Sequence, residues 1–300
     1  MSVASRLAAE LRAVDNESLH WASGPTHFEL VSPDRAVLDR ARVVFGPWLN
    51  GACDSCPPHA RFLIESDGTG GSGNWRVVRE GSEPRFADTL DLALVAVEYG
   101  SIVELLNPES GVVALHSALL SKGGRGVLLV GPKEAGKSTL ATALWRSGLQ
   151  FHSDDSAVLE DGHRARGIPR RVSLRATSRE LLGAELWNRI ACLPGTTRTA
   201  AGGVLFHPKE AIPGDVPASV EVGAVVFLAR LGSTAGAGEI EALDPGRALL
   251  ALGPYCHRRE PGIGEALRSL QPLADRVPMF DLGRGDLARM VERIEGVIGT

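Results

Sequence analysis

The sequence predicts an α/β fold, and three observations carry that expectation. A compact apolar run at residues 126–130 (GVLLV) feeds a glycine-bearing turn. A helical stretch over 136–147 leaves that turn. A second strand-like run over 149–159 follows at once, passing through His152 and the adjacent pair Asp154 and Asp155. This strand–loop–helix–strand order is the local signature of an α/β core.

Size and composition set the frame. With 300 residues the chain has room for one large domain or two small ones. Hydrophobic residues at 44% and charged residues at 23% exclude a collagen-like, low-complexity or wholly disordered chain. A net charge of −4 gives no basic surplus for nucleic acid and no acidic solvating tail. Only four of the 32 basic residues are lysines, at 122, 133, 137 and 209, so each lysine is informative. The first 21 residues lack the apolar core of a secretory signal, and no run of about 18 apolar residues occurs. A cytoplasmic protein with no membrane partner is therefore expected. Cys53 and Cys56 form a lone CxxC with His59 close behind. One such pair is a weak zinc signal, and two free thiols are expected there.

The elements follow in order. Residues 4–14 read as a short amphipathic helix. Strands over 27–31 and 60–65 flank a helix over 34–45. The stretch 66–74 (SDGTGGSGN) is a flexible turn, and 75–80 a return strand, which makes a hairpin. Leu90, Leu92, Leu94, Val95, Val97 and Ile102 suit a helix over 88–106. Residues 1–105 thus form a smaller N-terminal α+β domain, expected to recognise a substrate or partner, and 106–300 the larger domain. The latter opens with a strand over 111–120 carrying His116. Beyond the loop and acidic pair come strands over 172–175, 204–207 and 222–229, a mobile loop over 195–203 and a closing helix over 287–297.

The strongest motif is Gly131, Pro132, Lys133, Glu134, Ala135, Gly136, Lys137 and Ser138, a full match to GxxxxGK[ST], the Walker A pattern. A triphosphate concentrates negative charge. A glycine-rich loop turns backbone N–H groups toward it, and the following helix offers its positive end. Lys137 reaches the β- and γ-phosphates, Ser138 places its hydroxyl on Mg²⁺, and Thr139 closes the nucleotide-binding set. Asp154 and Asp155 arrive one helix and one strand later, where a Walker B carboxylate comes off the end of a neighbouring strand. One is expected to hold Mg²⁺ and the other to take the proton of an attacking hydroxyl, with the division open. No asparagine precedes a lysine, as a GTPase base reader requires, and no LSGGQ-like stretch marks an ABC ATPase. The short path from loop to acidic pair is unlike motor ATPases. Arg170, Arg171, Arg175 and Lys209 are lesser candidates for covering phosphoryl charge.

The run from 113 to 159 resembles the catalytic core of HPr kinase/phosphorylase, closest to the divergent HPr-kinase-related proteins of bacteria. That family places a histidine-bearing strand before a strand–P-loop–helix, then an arginine–glycine stretch leading to two aspartates. His116, the loop, Arg146, Gly148, Asp154 and Asp155 follow that order here. The resemblance implies an α/β P-loop core like the C-terminal domain of HPr kinase. It places His116 beside the acidic pair, with Asp154, Asp155, His116 and Lys137 as the catalytic set and Ser138, Asp154 and Asp155 as the metal set. It implies a Mg²⁺- and ATP-dependent kinase whose acceptor is a serine on a small protein or peptide, assembled as a homo-oligomer. A free small-molecule hydroxyl is the enzymatic variant. A nucleotide-binding regulator or an ATPase without phosphotransfer is the rival. Three positions depart from the family. Lys133 and Glu134 stand where its loop has serine and the middle glycine, and Ser117 stands where glycine follows the histidine. The later E-x-R-G signature has no clean copy, so the reverse phosphorylase activity is not expected.

Overall fold

The computed structural model of the protein describes residues 17–23, 26–46, 56–66, 75–106, 113–168, 170–208, 219–228, 236–257 and 263–298. The chain divides into two compact units, Met1–Leu105 with Pro194–Thr197, and Leu106–Leu193 with Arg198–Thr300. The architecture is mixed α/β with several sheets. Among the described residues no helix is long and apolar enough to cross a membrane.

The first unit runs β1 (Ser18–Ser23), β2 (Thr26–Val31), α1 (Arg35–Phe45), β3 (Ala60–Ser66), β4 (Trp75–Arg79), β5 (Arg85–Ala87) and α2 (Leu90–Leu105). Its five strands lie side by side in chain order. The chain returns through α1, so β2 and β3 run parallel. β3 and β4 form the expected antiparallel hairpin. Asp34 starts α1 by accepting the Ala36 N–H at 2.9 Å. Val37, Leu38, Ala41, Val44 and Phe45 recur at helical spacing and make its buried face. At the centre of this core Trp21 stacks on Phe28, Phe45 and Phe62, with ring centroids 5.4, 5.2 and 6.1 Å away. β1 was not expected: Leu19 and Trp21 are its only fully buried apolar residues, too few to announce an alternation. The expected helix at 4–14 and the turn over 67–74 lie outside the described residues. Cys56 is disulfide-bonded, which corrects the expectation of a free thiol at that position.

The second unit begins with β6 (Val113–Leu115), β7 (Ser117–Lys122), β8 (Arg125–Val130), α3 (Lys137–Arg146), β9 (Gln150–Ser153), β10 (Ala157–Glu160), β11 (Arg164–Gly167) and β12 (Val172–Leu174). It continues with α4 (Ser178–Leu182), α5 (Ala184–Ala191), β13 (Thr197–Arg198), β14 (Val204–Phe206), β15 (Val220–Phe227) and β16 (Ile240–Ala242). It ends with α6 (Pro245–Leu252), β17 (Cys256–His257), α7 (Ile263–Arg276), β18 (Met279–Leu282) and α8 (Leu287–Ile298). The main sheet orders its strands β17-β6-β10-β11-β15-β8-β7-β9, with β18 and then β16 branching from β15. β15 is parallel to both β8 and β18. Alternate residues of the central strands serve two cores. Val127, Leu129, Ala224 and Val226 meet Leu140, Leu144 and Trp145 of α3 and Met290 and Ile294 of α8. Leu128, Val130, Val225 and Phe227 meet Leu252 of α6 and Leu270 and Leu273 of α7. Helices therefore cover both sheet faces, which is why these strands read as unbroken apolar runs.

Three expectations change here. The strand expected over 111–120 is two strands, with His116 at the break. The acidic pair does not lie within a strand but at a bend between β9 and β10. β9 is not the neighbour of β8 either: β7 lies between them, antiparallel to both. The strand ends still coincide, since Ser117 pairs with Val130 and Leu119 with Ser153. Residues 195–203 are more ordered than expected, holding β13 and a turn closed by Thr199 N–H to Gly203 O at 2.9 Å.

Truncating Trp21 removes a ring stacked on three neighbours and should cost about 3–5 kcal/mol. Urea unfolding of the full chain followed by circular dichroism checks this. Phe86→Ala, at a ring 69% exposed, should change stability by less than about 0.5 kcal/mol.

Candidate active site

Two bends and one loop meet at the same end of the main sheet. β6 pairs with β10 through Leu115 and Ala157, and β7 pairs with β9 through Leu119 and Ser153. The pairs that flank the bends, Leu115–Ala157 and Leu119–Ser153, keep one register, which shifts by a residue beyond Leu119, so the bend with His116 and the bend with the Asp154–Asp155 pair face one another. β8 ends at this edge in Val130, and the loop 131–136 leaves from there into α3.

The loop folds as its residue types dictate, with one exception. A Cβ on Gly131 would sit 3.2 Å from Leu228 Cβ and 3.3 Å from Ala135 Cβ, which is tight. Gly136 caps α3 at φ +98°, a left-handed conformation that glycine adopts freely. Glu134 sits at φ +71° although it is not glycine. Its carboxylate accepts from Arg175 Nη2 at 2.7 Å, and this hydrogen bond holds it below the usual carboxylate range. Pro132 O accepts the Ala135 N–H at 3.2 Å, closing the turn.

Lys137 is buried and folds back over the loop. Its Nζ donates to Gly131 O at 2.7 Å and Pro132 O at 3.2 Å. Burial lowers its pKa, while Asp155 and Asp154 oppose that shift. Ser138 donates through Oγ to Asp154 Oδ2 at 3.0 Å, and the Ser173 N–H approaches the same oxygen at 3.4 Å. Thr139 Oγ1 lies 2.9 Å from Ser178 Oγ, a buried contact within the fold.

The two aspartates have different surroundings. Asp154 is only 5% exposed, and its Oδ1 is buried with no hydrogen-bond partner. Burial pushes its pKa up to about 6, against the Ser138 hydrogen bond that lowers it. Asp155 is held on both oxygens. Oδ1 lies 3.2 Å from His116 Nδ1, and Oδ2 pairs with Arg170. His116 Nδ1 also lies 3.1 Å from Asp155 O. Burial lowers the His116 pKa against the opposing charge of Asp155. A second histidine, His257 of β17, stands edge-on to His116 with centroids 5.6 Å apart.

The structure thus gathers Lys137, Ser138, Asp154, Asp155 and His116 as the sequence suggested. It gives the lesser candidates other partners. Arg170 holds Asp155, Arg175 holds Glu134, and Arg171 is 1% exposed, so it is no rim residue. His152 Nε2 lies 2.8 Å from Ser121 Oγ in the sheet, and Lys209 lies outside the described residues. His257, Ser173 and Tyr255 had no signal in the sequence, because each arrives through strand pairing or main-chain contact.

An orphaned buried carboxylate oxygen beside a serine hydroxyl fits a hard divalent cation such as Mg²⁺. Among the described residues no three His, Cys, Asp or Glu side chains form a metal-holding group. That is the ordinary situation for Mg²⁺, which takes one or two carboxylates and completes its shell with water and phosphate.

No family model matches the chain, and no curated protein does. Among solved structures it is similar to the HPr(Ser) kinase/phosphatase from Coxiella burnetii, at 15% identity over 61% of this chain and 88% of that one, with a TM-score of 0.34. An overlap that loose fixes neither fold family nor activity.

A left-handed residue without glycine costs about 1 kcal/mol. Glu134→Gly should therefore be more stable than Glu134→Ala by about that amount, since both lose the Arg175 contact and only one keeps the strain. Thermal unfolding of the two variants measures the difference.

Proposed function

We propose that the second unit is a P-loop kinase that passes the γ-phosphoryl of Mg²⁺-ATP to a hydroxyl. The observation that carries the reading is the Ser138–Asp154 contact at the start of α3, with Asp154 Oδ1 buried and unmatched behind a GxxxxGK[ST] loop. The loop residues 131–138 and the N-terminal end of α3 bind the phosphates. Lys137, now spanning two loop carbonyls, exchanges them for phosphoryl oxygens and stabilises the charge that develops there.

The different environments divide the labour between the aspartates. Asp154 and Ser138 would hold Mg²⁺, which supplies neutralisation of phosphoryl charge when bound. Asp155, gripped by His116 and Arg170, accepts the proton of the attacking hydroxyl and helps hold the cation. Thr139 supports α3 through Ser178. The acceptor is a serine on a small protein or peptide, with residues 1–105 contributing its recognition, in a cytoplasmic homo-oligomer. A small-molecule hydroxyl remains the enzymatic variant.

One observation favours a second reading. Glu134 occupies a strained loop position and is pinned by Arg175, which suits a nucleotide-binding regulator that does not turn over.

The test uses γ-labelled ATP, Mg²⁺ and lysate of the source cells with wild-type protein, Lys137→Ala and Asp155→Asn. Wild type should label a discrete acceptor. Lys137→Ala should lose nucleotide binding. Asp155→Asn should keep nucleotide and lose transfer by about 100-fold or more. Equal labelling by Asp155→Asn and wild type contradicts the assignment. Bound ATP with no transfer favours the regulator.

A further inference from the structure

Residues 255–257 grip the histidine that grips Asp155. Tyr255 O accepts the His116 N–H at 2.7 Å. Cys256 and His257 pair antiparallel with Leu115 and Ala114, the two residues just before the bend. That pairing brings the His257 ring to the His116 ring, nearly perpendicular at 85°. Such edge-to-face contact is a preferred aromatic geometry and sets the tilt of the ring it touches.

His257 is not held there by a hydrogen bond at Nε2, since that atom is buried without a partner. Its other ring nitrogen hydrogen-bonds the Asp155 main chain, so His257 meets the acidic pair directly as well as through the His116 ring. His116, in turn, points Nδ1 at two oxygens of one residue, Asp155 O at 3.1 Å and Asp155 Oδ1 at 3.2 Å. Both are acceptors, so Nδ1 must carry the hydrogen, and a neutral ring then keeps its lone pair on Nε2. The contact survives only while the ring keeps its plane. A rotated His116 would release Oδ1 and leave the Asp155 carboxylate with Arg170 as its remaining ion-pair partner.

We infer that His257 is a positioning residue for Asp155, acting through the plane of the His116 ring and through its own hydrogen bond to the Asp155 main chain. The inference rests on the phosphoryl-transfer reading of Asp155 for its catalytic consequence, while its structural part stands apart from that reading. The alternative is a histidine that fills the β17 edge and nothing more.

Two measurements on the full chain separate these. Long-range ¹H–¹⁵N spectra of ¹⁵N-histidine-labelled protein report the His116 tautomer without any activity. Wild type and His257→Phe, which keeps an aromatic edge, should show a single Nδ1–H form. His257→Ala should show averaged tautomers. His257→Leu, which fills the space without an aromatic edge, should behave like alanine and replaces it if the alanine variant fails to fold. In steady-state Mg²⁺-ATP turnover, His257→Ala should lower kcat about 10-fold with KM for ATP unchanged, and phenylalanine, which keeps the ring edge but not the hydrogen bond, should recover part of that loss. In a His116→Ala background His257→Ala should cost less than it does in wild type, because only its own hydrogen bond to Asp155 is left to lose. A wild-type His116 that is not the Nδ1–H form overturns the inference. So does an alanine or leucine variant with unchanged tautomer, or a kcat loss that adds in full to that of His116→Ala. If wild type turns over no ATP, the kinase reading fails by itself, and the spectra alone decide whether His257 positions His116.

Discussion

Asp154 is a carboxylate with almost no access to water, seated at the start of a helix with one oxygen matched and the other bare. Burying an unmatched ionised oxygen is costly, which is why its pKa rises to about 6. The rest of the site is arranged around that cost. Ser138 supplies one hydrogen bond, the Ser173 main chain approaches the same oxygen, and the Lys137 charge opposes the penalty from nearby. Lys137 in turn gives up solvent to lie across two carbonyls of the loop. Each buried charge is partly answered by another, and the set as a whole suits an anion carrying a cation.

The arrangement depends on two chain bends that the sheet forces into register. β6 and β7 are one course of chain broken at His116; β9 and β10 are another broken at the acidic pair. Because the flanking pairs Leu115–Ala157 and Leu119–Ser153 are in one antiparallel register, the breaks face each other. Strand pairing therefore accounts for the proximity of Asp155 to His116. Arg170, a few residues beyond β11, then fixes the other carboxylate oxygen. The result separates two adjacent aspartates into a buried one beside the helix and a clamped one beside the histidine.

How much of this was legible follows the range of the interactions. The loop was readable because its glycines, lysine and serine act within eight residues. The helices were readable where one face repeats, as in Val37, Leu38, Ala41 and Val44. The central strands were readable because both faces are covered, which leaves runs such as Val127–Val130 wholly apolar. The bends were not readable, since nothing in ALHSA or HSDDS announces a change of strand partner. Nor was the insertion of β7 between β8 and β9, which is a choice of topology made by pairing far along the chain. His257 was silent for the same reason: it lies 141 positions after His116 and arrives by way of β17. Glu134 was visible as a departure in the loop. Its left-handed backbone and its Arg175 partner were not, because the arginine comes from beyond β12.

The central claim is that the bare oxygen of Asp154 and the Ser138 hydroxyl seat the cation of a metal–nucleotide complex. Calorimetric titration of ATP into wild type and Asp154→Asn, each with Mg²⁺ and with chelator, tests it most directly. The account predicts that Mg²⁺ tightens ATP binding in wild type by about 10-fold or more, and that Asp154→Asn abolishes this gain while keeping its metal-free affinity. An equal Mg²⁺ gain in both proteins would contradict it.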